Sequence, residues 1–205
     1  MSDENLKATP ALPLKEACVR AAIDVIREDG LEKLSLRDVA RRLNVSHQAP
    51  YKHFGLKDRL LVEVIRRCLR SFAEALAASG QGQNGPDEAM RALGEAYLTY
   101  AVQFPLEYRL MFMTPWPADA KTAGLSQDAR AAFDILTHRL SALKPYVSDA
   151  ERDRDAMFVW SSIHGLASIL QSEAMQYLSF SDADAQAAVA HAMDMVDVAL
   201  AQRRP

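Results

Sequence analysis

The run SLRDVARRLNVSHQAPYKHFGLKDRLL, residues 35–61, decides how this chain folds. Leu36, Val39, Ala40 and Leu43 fall at i, i+3, i+4 and i+7, the spacing that collects apolar side chains on one helix face. Ser35 followed by Asp38 forms a capping box: the hydroxyl accepts a free backbone N–H at the helix start, and the carboxylate reaches back. Asn44 follows the last apolar position and tolerates the left-handed conformation that ends helices. Ser46 is then placed to cap a second helix whose first turn is polar. Two short helices separated by a tight turn make a helix-turn-helix, which lays its second helix in the major groove of DNA.

Charge is distributed in the same sense. The chain of 205 residues has a net charge of −3, yet residues 37–70 hold nine Lys or Arg against three acids, while residues 71–205 hold ten basic and seventeen acidic residues. A basic head on an acidic body suits a nucleic-acid-binding module carried by a body with another task. The length accommodates a small domain and a larger one, and 49% hydrophobic with 25% charged residues is ordinary for a globular protein. Cys18 and Cys68 lie on apolar helix faces too far apart for a metal motif, and are expected to be buried thiols. No secretory leader or apolar run of about 20 residues is seen, which places the protein in the cytoplasm.

Outward from the motif, residues 1–12 read as a flexible arm, 13–62 as the DNA-binding domain and 63–205 as a body. Leu14, Cys18, Ala22, Val25 and Ile26 mark a first helix stopped by Gly30. A long fourth helix runs from about Lys57 to Ser79, followed by a Gly-rich linker to Pro86. Pro86 opens a fifth helix, which ends before Pro105. A short aromatic helix covers 106–113 and a seventh 126–143. Capping boxes at Ser148/Glu151 and Ser181/Asp184 open an eighth helix to about Tyr177 and a ninth to about Gln202. Sustained period-two alternation is missing, so the expected fold is all-α, of about nine helices.

On the recognition helix, His47, Gln48, Ala49 and Lys52 are placed to meet base edges. Gln pairs with adenine N6 and N7, Lys with guanine O6 and N7, and the Ala methyl meets a thymine methyl. The segment Val45-Ser46-His47-Gln48-Ala49-Pro50-Tyr51-Lys52-His53-Phe54, with Lys57 and Leu60-Leu61, resembles the recognition region of the tetracycline-repressor-like (TetR) regulators. The resemblance spans roughly residues 14–62. It implies that Tyr51, His53 and Lys57 hold DNA phosphates together with Ser35, Arg37 and Ser46, setting register while base contacts specify sequence. Packing of the head by Tyr51 and His53 is the alternative. Pro50 stands where the family usually has Leu. Counted from Ser46 it falls near the end of the first turn, so an altered helix start is expected.

The body concentrates large soft side chains: Tyr97, Tyr100, Phe104, Tyr108, Met111, Phe112 and Trp116, joined by Trp160 and His164 from the eighth helix. Such walls with a few polar tips make small-molecule pockets, although a plain core uses the same residues. Three Tyr hydroxyls and one imidazole on inward stripes need partners, and a ligand is one way to supply them. Trp160-Ser-Ser-Ile-His164-Gly165 also resembles a Trp-His-Gly motif of one TetR subgroup. His164 lacks an acid to orient it, and neither a Gly-x-Ser-x-Gly elbow nor a Gly-rich phosphate loop occurs, which argues against an enzyme. The five His form no i, i+4 pair with an acidic third ligand, so no metal or cofactor is expected.

Ala188, Val189, Ala192, Met195, Val196 and Ala199 form a small-residue stripe suited to a helix-pair dimer interface, with packing onto the body as the alternative. Together these features, with the resemblance, imply a homodimeric, ligand-responsive transcription factor, most often a repressor in that family, released from a pseudo-palindromic operator by a small hydrophobic or aromatic effector. A ligand-independent dimeric DNA-binding or architectural protein is the competing reading.

Overall fold

A computed structural model describes residues 13–118, 124–177 and 181–201, and the expected arm at 1–12 lies outside them. Every regular element among the described residues is helical. The helices are α1 Leu14–Asp29, α2 Leu36–Arg42, α3 Gln48–Phe54, α4 Lys57–Ala78, α5 Pro86–Gln103, α6 Pro105–Phe112, α7 Leu125–Leu143, α8 Asp149–Leu170, α9 Ala174–Tyr177 and α10 Asp182–Ala201. The nine expected helices are all present. The expected eighth is divided, because α8 ends at Leu170 and a single turn, α9, follows it.

The chain forms two compact units, one of residues 1–65 with 115–123 and the other of 66–114 with 124–205. Helix α4 contributes its first nine residues, to Ile65, to the first unit and the remainder to the second.

In the first unit α1 stops where Gly30 turns to φ 89°, a backbone conformation that side chains disfavour, while its N–H still bonds Ile26 O at 3.0 Å. Cys18, Val39, Ala40 and Leu60 are fully buried between the helices. Ser35 caps α2 as expected, accepting the Asp38 N–H at 3.1 Å, but the Asp38 carboxylate takes the Ser35 hydroxyl proton at 2.5 Å rather than a backbone N–H.

In the second unit proline and capping residues set the helix starts. Pro86 and Pro105 each occupy the first turn of a helix, where their missing N–H has no intrahelical partner to lose. Ser148 accepts the Glu151 N–H at 3.2 Å, and Ser181 accepts the Asp184 N–H at 3.2 Å. Between α7 and α8, Lys144 and Asp155 form a buried ion pair at 3.0 Å, with Tyr146 donating to the same carboxylate at 3.2 Å. Breaking one half of such a pair costs about 3–5 kcal/mol, because the other charge is left buried alone.

Candidate functional site

The turn of the helix-turn-helix closes through backbone hydrogen bonds. Helix α2 ends at Leu43; Asn44 then adopts φ 52°, its N–H bonds Arg41 O at 3.2 Å, and the Val45 N–H bonds Ala40 O at 3.0 Å. This pair of bonds is a Schellman motif, and Asn44 supplies the left-handed residue it needs.

Helix α3 begins later than expected. It starts at Gln48 with His47 in the capping position, and no side chain caps it, so Ser46 is not the N-cap. Ser46 instead accepts the Ala49 N–H through its backbone carbonyl at 3.0 Å. The reason is Pro50. With the start at Gln48, Pro50 falls in the first turn, where backbone N–H groups have no intrahelical partner, so its missing donor costs no hydrogen bond. Its ring is instead buried in the head.

Among the expected DNA-contacting residues, Arg37, Ser46, His47, Gln48, Tyr51, Lys52 and His53 are exposed, and Ala49 and Ser35 are half-buried. Tyr51 is 51% exposed, and the exposed His53 meets Phe54 edge-on at a ring separation of 6.3 Å. Gln48 and Lys52 lie one turn apart, on one face of α3. Lys57 is half-buried, and its ammonium donates to Leu31 O at 3.4 Å, leaving further N–H donors on the same nitrogen. Two neighbouring cations are engaged within the protein: Arg42 binds Glu28 in a bidentate pair at 2.7 and 2.9 Å, and Arg41 binds Asp38 at 3.1 Å. The Ser35 hydroxyl, followed by Arg41 and Arg37, holds the Asp38 carboxyl below its usual range.

In the second unit the inward aromatics converge on one imidazole. His164 Nδ1 lies 2.7 Å from the Tyr108 hydroxyl and 3.0 Å from that of Tyr97, and these hydroxyls are 3.2 Å apart. The Trp160 indole N–H donates to Tyr97 at 3.3 Å, and Ser168 Oγ lies 3.5 Å from His164 Nε2. Phe112 packs edge-on against His164 at 5.0 Å. Burial pushes the Tyr97 and Tyr108 hydroxyls well above the usual phenol range and holds His164 below its ordinary value, so the network is neutral. The hydroxyls and imidazole supply one another with partners.

The other expected pocket residues are placed around or away from this centre. Tyr100 meets Phe104 with tilted rings at 4.8 Å and donates to Cys68 O at 3.4 Å, its hydroxyl pushed up to about 12 by burial. Met111 is buried on α6, while Trp116 follows α6 in the segment that groups with the first unit and is 39% exposed. Phe72 and Phe133 complete the cluster without having been singled out by sequence, since an apolar helix stripe does not mark which of its members meet a polar centre.

Of the stripe on α10, Ala188 and Met195 are exposed and Val189, Ala192 and Ala199 half-buried. Val196 is 2% exposed, inside the subunit with Met193 and Leu200, so it does not belong to an outward interface. Among the described residues no helix is long and apolar enough to cross a membrane, and no group of His, Cys, Asp and Glu gathers as a metal site.

Residues 19–64 match the model of bacterial regulatory proteins of the tetR family, and residues 90–196 match that of the tetracyclin repressor-like C-terminal domain. The HTH-type transcriptional regulator BetI of Agrobacterium fabrum is 33% identical over 126 residues, which are 62% of this chain and 59% of that protein. The alignment thus spans about three fifths of the first curated relatives' length. The regulatory protein SCO4313 has a TM-score of 0.73 at 21% identity, covering 89% of this chain and 94% of its own. A tetR-family regulatory protein from Rhodococcus RHA1 has a TM-score of 0.64 at 19% identity, covering 91% and 98%.

Proposed function

Because the chain belongs to the tetracycline-repressor-like family of transcriptional regulators, we propose that it is a homodimeric repressor, acting in the cytoplasm, which leaves its operator when a small aromatic or hydrophobic effector binds the Tyr97–Tyr108–His164 network. The exposed Gln48–Lys52 face of α3 supports the DNA half of this reading. His47, Gln48, Ala49 and Lys52 meet base edges, and Ser35, Arg37, Ser46, Tyr51, His53 and Lys57 meet phosphates. Two copies related by a two-fold axis bind half-sites one helical turn apart, about 34–36 Å.

The observation that carries the effector half is the gathering of Tyr97, Tyr108, Trp160 and His164, from three helices, on one uncharged polar centre walled by aromatic rings. An effector group that bonds His164 or either hydroxyl must break the internal set, and the released energy difference selects another conformation. Tyr100, Phe104, Met111 and Phe112 remain candidates for the apolar part of the site.

The dimer surface is assigned to the outward faces of α8 and α10. Met157, Phe158 and Ile169 on α8, and Met195 and Val198 on α10, are large apolar side chains open to solvent in the single subunit. Exposed apolar side chains gathered on two helices of one unit support an interaction site there.

The effector reading is tested with small molecules extracted from denatured, purified protein and identified by mass spectrometry. The extract should release the protein from its selected DNA and fail to release His164→Phe. Equal release of both proteins would remove the network from the effector site and favour a body that only dimerises.

A further inference from the structure

Phe72 sits where three aromatic contacts meet. On α4 and 2% exposed, its ring meets Tyr97 edge-to-face at 5.0 Å, Tyr100 at 5.1 Å and Phe112 at 5.9 Å. One turn earlier on the same helix, Cys68 O accepts the Tyr100 hydroxyl at 3.4 Å. Arg66, a further half-turn back, is clasped to Asp128 of α7 at 2.6 Å. Of these contacts of α4, the one made by Phe72 touches the hydrogen-bonded network directly.

The network has a direction. Unprotonated Nδ1 offers a single lone pair, and the closer hydroxyl, that of Tyr108 at 2.7 Å, donates to it. Tyr97 accepts from Trp160 and passes its own proton to Tyr108. This direction belongs to the tautomer that carries the imidazole proton on Nε2, facing Ser168. A proton or a ligand donor on Nδ1 ends its acceptance of the Tyr108 proton; the Tyr108 hydroxyl swings round to donate to the Tyr97 oxygen, and the Tyr97 proton loses its acceptor, so the Tyr97 ring is the one that must rearrange. Packed interiors switch between arrangements rather than deform smoothly, and the Tyr97 ring cannot move without its edge contact on Phe72.

We propose that Phe72 is the positioning residue through which the state of the Tyr97–Tyr108–His164 network is passed to α4, and so to the affinity for DNA; this rests on the network being the effector site. Protonation of His164 serves as the probe. The groups facing the imidazole are Tyr97 from α5, Tyr108 and Phe112 from α6, and Trp160 and Ser168 from α8, none of them charged.

The experiment measures dissociation constants for the duplex that the protein itself selects from randomised DNA, between pH 5 and 8 at constant ionic strength. Wild type, His164→Phe, Phe72→Leu and the double variant are compared, with the His164 titration followed by NMR. The head is the same in all four proteins, so its own pH response cancels in the comparison. The His164-dependent part of the wild-type response should be a weakening of about 5-fold or more at the acid end. It should vanish in Phe72→Leu although His164 still titrates, and the double variant should add nothing. Phe72→Met carries the same comparison should Leu unfold the body. A His164-dependent response that survives both substitutions overturns the proposal, as does an identical profile for wild type and His164→Phe. Failure of the effector-site reading shows separately, as an extracted ligand that binds His164→Phe unchanged.

Discussion

Met193 of α10 lies so close to Gly94 of α5 that a Cβ on the glycine would come 2.4 Å from the methionine Cε. This contact fixes the rotation of α10. Met193, Val196 and Leu200 turn inward, and Arg91 of α5 reaches Asp194 and Asp197 at 2.8 and 2.5 Å beside them. The opposite face, with Ala188, Met195 and Val198, is left to solvent in the single subunit.

From that rotation, Met195→Glu should convert the dimer to a folded monomer, read as a halved mass in sedimentation with unchanged helical circular dichroism. Val196→Glu should lower thermal stability instead, since it buries an unpaired charge. A dimeric Met195→Glu would move the interface elsewhere.

Lys57 links the start of α4 to Leu31 and has further donors on the same nitrogen. Lys57→Ala should weaken DNA binding about equally for all sequences and lower the log–log salt slope by about 1, the signature of one lost phosphate contact. An unchanged slope would take Lys57 out of the phosphate set.

Gln48 opens α3 with its side chain exposed. Gln48→Ala should relax the preference at one position of each half-site, with a loss of about 1–3 kcal/mol. Recovery of the same preferred site for variant and parent would show that Gln48 reads no base.

His164 makes the body sensitive to acid. Its folded-state pKa is depressed by burial, so the unfolded chain binds the proton first as pH falls. Stability from this group is intact above the unfolded value of about 6.5 and is lost as pH drops from there through the lower folded value. Melting temperatures of His164→Phe should therefore fall less between pH 7 and 5 than those of wild type; parallel curves would contradict the buried, neutral imidazole.

Helix starts and stops were legible wherever a local signal fixes them. Pro86, Ser148, Ser181 and Asn44 act through their own backbone and nearest neighbours, and each holds the position its chemistry requires. The convergence of Tyr97, Tyr108, Trp160 and His164 was legible as inward periodicity plus unpaired polar tips. What escaped depends on contacts distant in sequence. Phe72 looks like any other member of the α4 stripe until Tyr97 and Phe112 are packed on it. Val196 shares its periodicity with the outward residues, and packing against α5, where Met193 meets Gly94 and Arg91 meets Asp194 and Asp197, decides which side is inside. The altered start of α3 was legible in Pro50, whereas the burial of its ring in the head was not, since no local rule specifies it.

The central claim is that α3 reads DNA as one half of a two-fold pair. Selection of binding sites from randomised duplex DNA by the purified full chain tests it most directly. The account predicts enrichment of an inverted repeat whose half-sites are about one helical turn apart, 10–10.5 bp centre to centre, or a multiple of it. It also predicts that the enriched duplex is bound at least about 1,000-fold tighter than scrambled DNA at physiological salt. A pool that stays random after successive rounds, with affinity set by salt alone, would contradict it.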